Sequence, residues 1–203
     1  MSEPLHFLAR HGQTQANIQN IFRSRLDVPL DPKGEEEAHQ AAQWLKERFP
    51  VNHIVTSPMQ RAQATAAIYG QHLGLQPQVD GRLAPWNAGK LTGMERTPYS
   101  ERVRDFYIQH PDRPIPGGES IEQSEARMRD LLSVLPRVQG RVLLVTHGSG
   151  IKAADTVLSG KREPTGDSAL VEPGGIVGIY QTGKGFGLKP LFREAEQTAR
   201  AAS

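Results

Sequence analysis

The 203-residue chain contains no cysteine. That removes thiol nucleophiles, disulfides and thiolate-built zinc sites, and it constrains the redox compartment little. Runs of like charge are also missing. The 24 basic and 22 acidic side chains are interspersed, for a formal net charge of +2, so no nucleic-acid partner is expected. Neither an apolar stretch of membrane length nor a basic segment leading into an apolar one follows Met1. A cytoplasmic protein with no membrane partner is the expectation. No repeat, low-complexity tract or long linker divides the chain, and 37% hydrophobic residues suffice for a core. A single domain over residues 1–203 is expected, with 194–203 a frayed tail.

What is present is an alternation of short apolar runs and helical patterns. Leu5 to Ala9, His53 to Thr56 and Arg141 to Val145 read as buried strands. Gln13 to Ile21 opens a helical turn. Asp31 and Pro32 start a helix with an N-cap and a first-position proline, Ala38, Ala41, Ala42 and Leu45 give its apolar face, and Pro50 ends it. Further helices are predicted from Ser57-Pro58 to Leu73, from Glu95 to Gln109, from Ser120 to Leu135 and from Ser149 to Leu158, with a Pro/Gly-rich loop over 111–118. Gly175 to Tyr180 and Gly187 to Phe192 read as a hairpin. Together these predict a three-layer α/β/α sandwich around a largely parallel central sheet.

Two strand endings carry one histidine each: Arg10-His11-Gly12 and, 136 residues later, Thr146-His147-Gly148. A strand that ends in a polar residue and a glycine delivers it to the carboxyl edge of the sheet, where open α/β proteins place ligands. The remaining histidines, His6, His39, His53, His72 and His110, sit in elements or at their edges and read as structural or solvated.

The combination of blocks is more specific than any one of them. Arg10-His11-Gly12-x-Thr14 with Asn17, Ser57-Pro58-x-x-Arg61-Ala62-x-x-Thr65, Gly117-Gly118-Glu119-Ser120 with Arg127, and Thr146-His147-Gly148 resemble the histidine phosphatase superfamily, also called phosphoglycerate-mutase-like. They occur in the family's order over residues 5 to about 155. The resemblance implies a phosphatase in which His11 is the nucleophile and passes through a phosphohistidine. Arg10, Arg61 and His147 then hold the phosphoryl oxygens, with Asn17 and Gly148 as further substrate-binding positions. Planar guanidinium forks suit charge spread over several oxygens better than lysine does. The helix after His147 would aim its first N–H groups at the same anion. The attacking nitrogen must be unprotonated, which a hydrogen bond from the other ring nitrogen to a backbone carbonyl would ensure. The arginines supply the positive charge, so no metal and no cofactor is expected. The partner implied is a small phosphorylated molecule or a phosphoprotein; oligomeric state is left open, a homodimer included.

One block departs from the family. Where a glutamate usually protonates the leaving oxygen, in a segment resembling Arg-Leu-x-Glu-x-x-x-Gly, this chain reads Arg82-Leu83-Ala84-Pro85-Trp86-Asn87-Ala88-Gly89, and Thr92 stands where a second acid often follows. Pro85 has no proton to give. Three readings follow: Glu119 or Glu95 replaces the acid; the enzyme does without one and favours good leaving groups such as acyl phosphates, phosphoanhydrides or phosphohistidine; or catalysis is lost and a non-hydrolytic phospholigand-binding or regulatory protein remains. General acid catalysis is worth about 10²–10⁴-fold, so its loss penalises alkyl esters far more than activated ones. Glu119 also has a plain role in the loop entering the next helix. A phosphoglycerate mutase is disfavoured, because it relies on the same missing acid. Trp86 belongs either at the substrate mouth or in the core, where tryptophan is more often found.

Overall fold

Alternation of apolar side chains along three short strands sets the architecture. In a computed structural model, which describes residues 3–161, 171–183 and 185–192, Phe7 and Ala9 of β1 (His6–Arg10) point to one side and Leu8 to the other. Leu143 and Val145 of β4 (Val142–Thr146) join Phe7 and Ala9, while Val142 and Leu144 join Leu8. Both faces of the sheet are therefore apolar and both must be covered. α2 (Pro32–Arg48) and α3 (Gln60–Leu73) cover the first through Ala41, Ala42, Leu45, Ala62, Ala66 and Tyr69. α5 (Ile121–Val134) and α6 (Gly148–Ser159) cover the second through Met128, Leu131, Ile151 and Ala154. The result is the three-layer sandwich.

The sheet has six strands in the order β3-β2-β4-β1-β5-β6, with β2 at His53–Thr56, β3 at Gln78–Val79, β5 at Ile176–Thr182 and β6 at Gly185–Phe192. β1, β2, β3 and β4 are parallel; the β5–β6 hairpin is antiparallel and closes one edge. The chain leaves β1 toward β2 by way of α2 on one face, and leaves β4 toward β5 by way of α6 on the other. The crevice between the carboxyl ends of β1 and β4 is thus a topological switch point. Arg10 pairs with Thr146 across it, so His11 and His147 emerge side by side.

Element boundaries explain themselves locally. Asp31 caps α2 by accepting from Gly34 N at 2.8 Å, a cap worth about 1 kcal/mol. Gly74 ends α3 in the left-handed region at φ 70°. Four expectations need adjustment. The turn after β1 is only α1 (Gln15–Ile18), because Asn20 takes φ 49° and breaks it. α3 begins at Gln60 rather than Ser57, whose hydroxyl instead accepts Met59 N. α4 spans Ser100–Gln109, not Glu95–Gln109: Glu95 bridges to Ile21 and Arg96 N is tied to Asn20 O at 2.9 Å, so that stretch is pinned as a turn. β3 was not expected at all; at two residues it carries no periodicity to read. Residues 194–203 lie outside the described residues. Among the described residues no helix is long and apolar enough to cross a membrane.

Candidate active site

Strand register delivers the core of the site. His11 follows β1 and donates its backbone N–H to Thr146 O at 3.0 Å. His147 follows β4 and is the N-cap of α6, and the two ring centroids lie 5.1 Å apart. Gly12 is required because its Cα packs on the backbone of Gly34, at the start of α2; a Cβ there would drive into the Gly34 carbonyl. That contact presses α2 against the loop after His11.

His11 is held in one protonation state. Its Nδ1 lies 2.7 Å from Gly12 O, so Nδ1 carries the proton and donates it. Its Nε2 accepts from Arg61 Nε at 3.3 Å, which places the lone pair on Nε2. The ring is 1% exposed. Burial first, then the charges of Arg61, Arg10 and Arg23, holds its pKa well below 6.5. Neutral His11 with an unprotonated Nε2, its lone pair turned toward guanidinium groups, is the form a nucleophile needs.

Arg61 rises from the first turn of α3 and is spent on geometry. Besides His11 it donates to Leu26 O at 2.7 Å and to Ser24 O at 3.1 Å. Ser24 sits at φ 47°, an uncommon backbone conformation for serine. The loop is further pinned by Ser24 Oγ accepting Ala88 N and by Asp27 accepting Gln60 N. Arg10 donates to Val171 O at 3.1 Å, and its buried Nε has no partner among the described residues. His147 Nε2 lies 2.8 Å from Ser57 Oγ; with that hydroxyl donating to Nε2 the ring proton sits on Nδ1, which is buried and likewise has no partner among the described residues. Burial, His11 and the arginines keep His147 well below 6.5 as well. Gly148 and Ser149, the first residues of α6, complete this wall; helix N–H groups there have no intrahelical acceptor.

These residues form one end of a cavity of about 750 Å³. Arg10, His11, Arg61, His147 and Gly148 line it together; Asn17, Glu119 and Glu95 do not. The amide oxygen of Asn17 closes α1 by accepting from Thr14 N and Thr14 Oγ1. Glu95 is exposed on the bridge to Ile21. Glu119 is 9% exposed, but its carboxylate is held by Arg127 and, at 3.4 Å, by Arg25. Its carbonyl accepts Trp86 Nε1 at 2.8 Å, and Arg127 also donates to Arg82 O and Ala84 O. Glu119 and Arg127 thus brace the segment that contains Pro85. Pro85 lines the cavity, buried, and Trp86 lines it half-buried, packed edge-on against Tyr107 at 5.3 Å.

Sequence reasoning missed the further cations of this cavity: Arg23, Arg96, Arg104 and Lys152, with Glu101 and Glu125 beside them. Burial and then Arg10, Arg61 and Arg96 push Arg23 down to about 9. Burial and Arg96 push Lys152 down to about 8 against the pull of Glu125. Lys152, three residues past Ser149, and Arg104 lie on predicted helices; Arg96 fell in a stretch predicted as helix that the structure makes a turn, and Arg23 lies in an irregular turn.

The sequence profile of the histidine phosphatase superfamily (branch 1) matches residues 6–192. A 2,3-bisphosphoglycerate-dependent phosphoglycerate mutase of Methylorubrum populi is 33% identical over 175 residues, covering 80% of this chain and 82% of that protein. An uncharacterized phosphatase of Bacillus subtilis, PhoE, is 32% identical over 155 residues, covering 75% and 76%. Among solved structures, the native mycobacterial glucosyl-3-phosphoglycerate phosphatase superposes with a TM-score of 0.76 at 26% identity, covering 93% of this chain and 97% of that one.

Proposed function

The chain belongs to the histidine phosphatase superfamily, and we propose that it is a phosphatase that passes a phosphoryl group from a small phosphorylated molecule to His11 and then to water. The observation that carries this reading is the state of His11: Nδ1 donating to Gly12 O and a lone pair on Nε2 inside a wall of guanidinium groups. In the first step Nε2 attacks phosphorus and the bond to the leaving oxygen breaks. Arg10 Nε, His147 Nδ1 and the first N–H groups of α6 are the unspent donors around that point. They stabilise charge on the equatorial oxygens without moving, which is where most of the rate comes from in phosphoryl transfer. Arg61 keeps the Nε2 lone pair in place and adds positive charge. In the second step water attacks the phosphohistidine and inorganic phosphate leaves.

Hydrolysis is favoured over a mutase reaction by Pro85. A mutase takes its phosphoryl group from an alcohol oxygen, which needs a proton as it leaves, and the buried Pro85 side chain lining the cavity has none to give, whereas a phosphatase can act on phosphates whose leaving oxygen needs no proton. The reading is tested with p-nitrophenyl phosphate, whose leaving group needs no proton. Rapid quench should trap an acid-labile, base-stable phosphoenzyme, and His11→Ala should abolish both it and turnover. Binding of phosphate with no turnover and no phosphoenzyme would instead mark a phospholigand-binding protein, and a fully active His11→Ala protein would end the assignment.

A further inference from the structure

The proton on His11 Nδ1 is held by the Gly12 carbonyl at 2.7 Å. That carbonyl belongs to the peptide between Gly12 and Gln13. The N–H of the same peptide, that of Gln13, donates to Glu37 Oε2 at 2.8 Å. One planar peptide group therefore joins the nucleophile to a carboxylate, with a hydrogen bond at each end.

The packing of α2 on the loop after β1 builds this connection. Of the three consecutive glutamates Glu35, Glu36 and Glu37, only Glu37 is buried, at 3% exposed. It lies three residues past Gly34, on the same face of α2. Gly34 packs backbone to backbone on Gln13, where a Cβ would fall 2.1 Å from Gln13 O. On the other side Gly174 donates its N–H to His11 O at 3.2 Å, and a Cβ on Gly174 would fall 2.7 Å from Glu37 Cβ. Glu37 is thus wedged between the loop that follows β1 and the turn that precedes β5, and both hold the backbone of His11. Lys33 reaches its other oxygen, Oε1, at 3.9 Å from the exposed flank of α2.

Clamping the loop does not call for a charge. A glutamine would accept the same N–H, and it costs less to bury than a carboxylate. What the charge adds is polarisation: an anion on a peptide N–H increases the negative charge on the carbonyl oxygen of that peptide, as linked hydrogen bonds strengthen one another. The Gly12 carbonyl then holds the Nδ1 proton more firmly. That favours the tautomer with its lone pair on Nε2, and it favours still more the cationic ring that forms when Nε2 bonds to phosphorus.

Resting on the phosphatase reading above, we propose that Glu37 is a positioning residue for the nucleophile, its carboxylate acting on the His11 imidazole through the peptide between Gly12 and Gln13. A triad aspartate does the same for its histidine by direct contact. No proton is transferred along the relay. The Nε2 lone pair forms the N–P bond as the P–O bond to the leaving group breaks, and that electron pair departs on the leaving oxygen. The ring, still protonated on Nδ1, becomes cationic, and the contact with Gly12 O tightens behind it. Water then forms the new O–P bond, the N–P pair returns to Nε2, and both water protons leave with inorganic phosphate as its monoanion.

The test is Glu37→Gln in the full chain, which keeps the shape and an acceptor and removes the charge. Phosphoenzyme formation from p-nitrophenyl phosphate, followed by rapid quench, should slow about tenfold, the difference between a charged and a neutral acceptor. KM and competitive inhibition by inorganic phosphate should stay as they are. In protein labelled with ¹⁵N-histidine, the Nδ1 proton of His11, identified by its loss in His11→Ala, should move upfield in Glu37→Gln as its hydrogen bond weakens. Glu37→Asp, which keeps the charge on a shorter arm, should recover part of the rate. A phosphorylation rate and an Nδ1 resonance both unchanged in Glu37→Gln would overturn the relay and leave Glu37 as a clamp on the loop. So would a loss that falls on KM and phosphate binding, since a displaced loop moves the donors as well as the ring. A Glu37→Asp protein slower than Glu37→Gln would overturn it too, by showing that reach and not charge matters. Absence of any phosphoenzyme in the wild type would instead overturn the phosphatase reading, and this role with it. The Nδ1 resonance, read without substrate, tells the two failures apart.

Discussion

At the phosphoryl end of the cavity the wall is made from strand ends and helix starts: Arg10 and His11 leave β1, His147 leaves β4, and Arg61 opens α3, all of them 9% exposed or less. At the other end it is made from turns and the short α4, lying between Gly81 and Gly118. There the backbone is held mainly by reaching across: Gly89 at φ 52° packs on the Pro116–Gly118 turn, Glu119 braces Trp86, and Glu101 and Arg104 stand exposed. The first end moves only if the sheet moves. The second can change at its exposed positions, such as Glu101 and Arg104, without touching the core, and it is in this region that proline stands where the acid is expected. Fixed chemistry and variable specificity are separated by the kind of backbone that carries each.

The largest effect expected from this division falls on the arginines. Arg61→Lys keeps a charge but loses the planar fork that joins His11, Ser24 and Leu26. Arg10→Lys loses the unspent Nε donor, so turnover of p-nitrophenyl phosphate should fall about 10²–10³-fold, the scale of losing one transition-state donor, and Arg61→Lys, which frees His11 to turn, should cost as much. Trp86→Phe, at the other end, should cost no more than about tenfold, mostly in KM, since it removes one hydrogen bond to Glu119 and keeps the ring. Steady-state kinetics on the three proteins decide it. Equal losses would mean that both ends act as one constellation.

The same division describes what could be read from residues alone. β1, β2 and β4 were visible because each is an apolar run ending in a polar residue, and α2 because Asp31 and Pro32 mark its start. His11, Arg10, Arg61 and His147 were visible because their positions are set by those elements. Arg23 and Arg96 were not, since they hang on irregular turns whose path is decided by contacts 35 or more residues away, such as Arg61 NH1 to Leu26 O. Glu119 shows the converse: a carboxylate in the right block whose plain role in the loop entering α5 was the favoured reading, and whose oxygens the fold gives to Arg127 and Arg25.

A middling effect is expected from chemistry at Pro85. Across aryl and alkyl phosphates of graded leaving-group pKa, log kcat/KM should fall steeply, because the leaving oxygen carries its own charge. Pro85→Glu should flatten that slope and raise alkyl ester turnover on the order of tenfold, short of the 10²–10⁴ of a fully positioned acid. A flat wild-type plot would show that a donor is already in place, with Glu125 and Lys152 the cavity groups to replace first.

The smallest effect concerns stability, and it asks whether the phosphoryl end is tense when empty. His11 and His147 are buried neutral among arginines, with folded pKa values well below 6.5, the value each regains on unfolding. Above about 6.5 both states hold these rings neutral and nothing is lost. As pH falls below it, the unfolded chain binds protons that the folded chain refuses, so stability declines toward the lower folded values. The melting temperature should therefore drop between pH 7 and pH 5, by a few degrees at least, given about 2–4 °C per kcal/mol in a chain of this size. The informative quantity is the difference from His147→Gln. That variant keeps a polar group near Ser57 but cannot titrate, and its melting temperature should fall less steeply over the same interval. Saturating phosphate should raise the melting temperature of the wild type throughout, by the usual linkage of ligand to the folded state, and should do so less in His147→Gln. Parallel pH curves for the two proteins would mean that His147 titrates much as it does in the unfolded chain, and that the strain of the arginine cluster is relieved before it reaches the imidazoles.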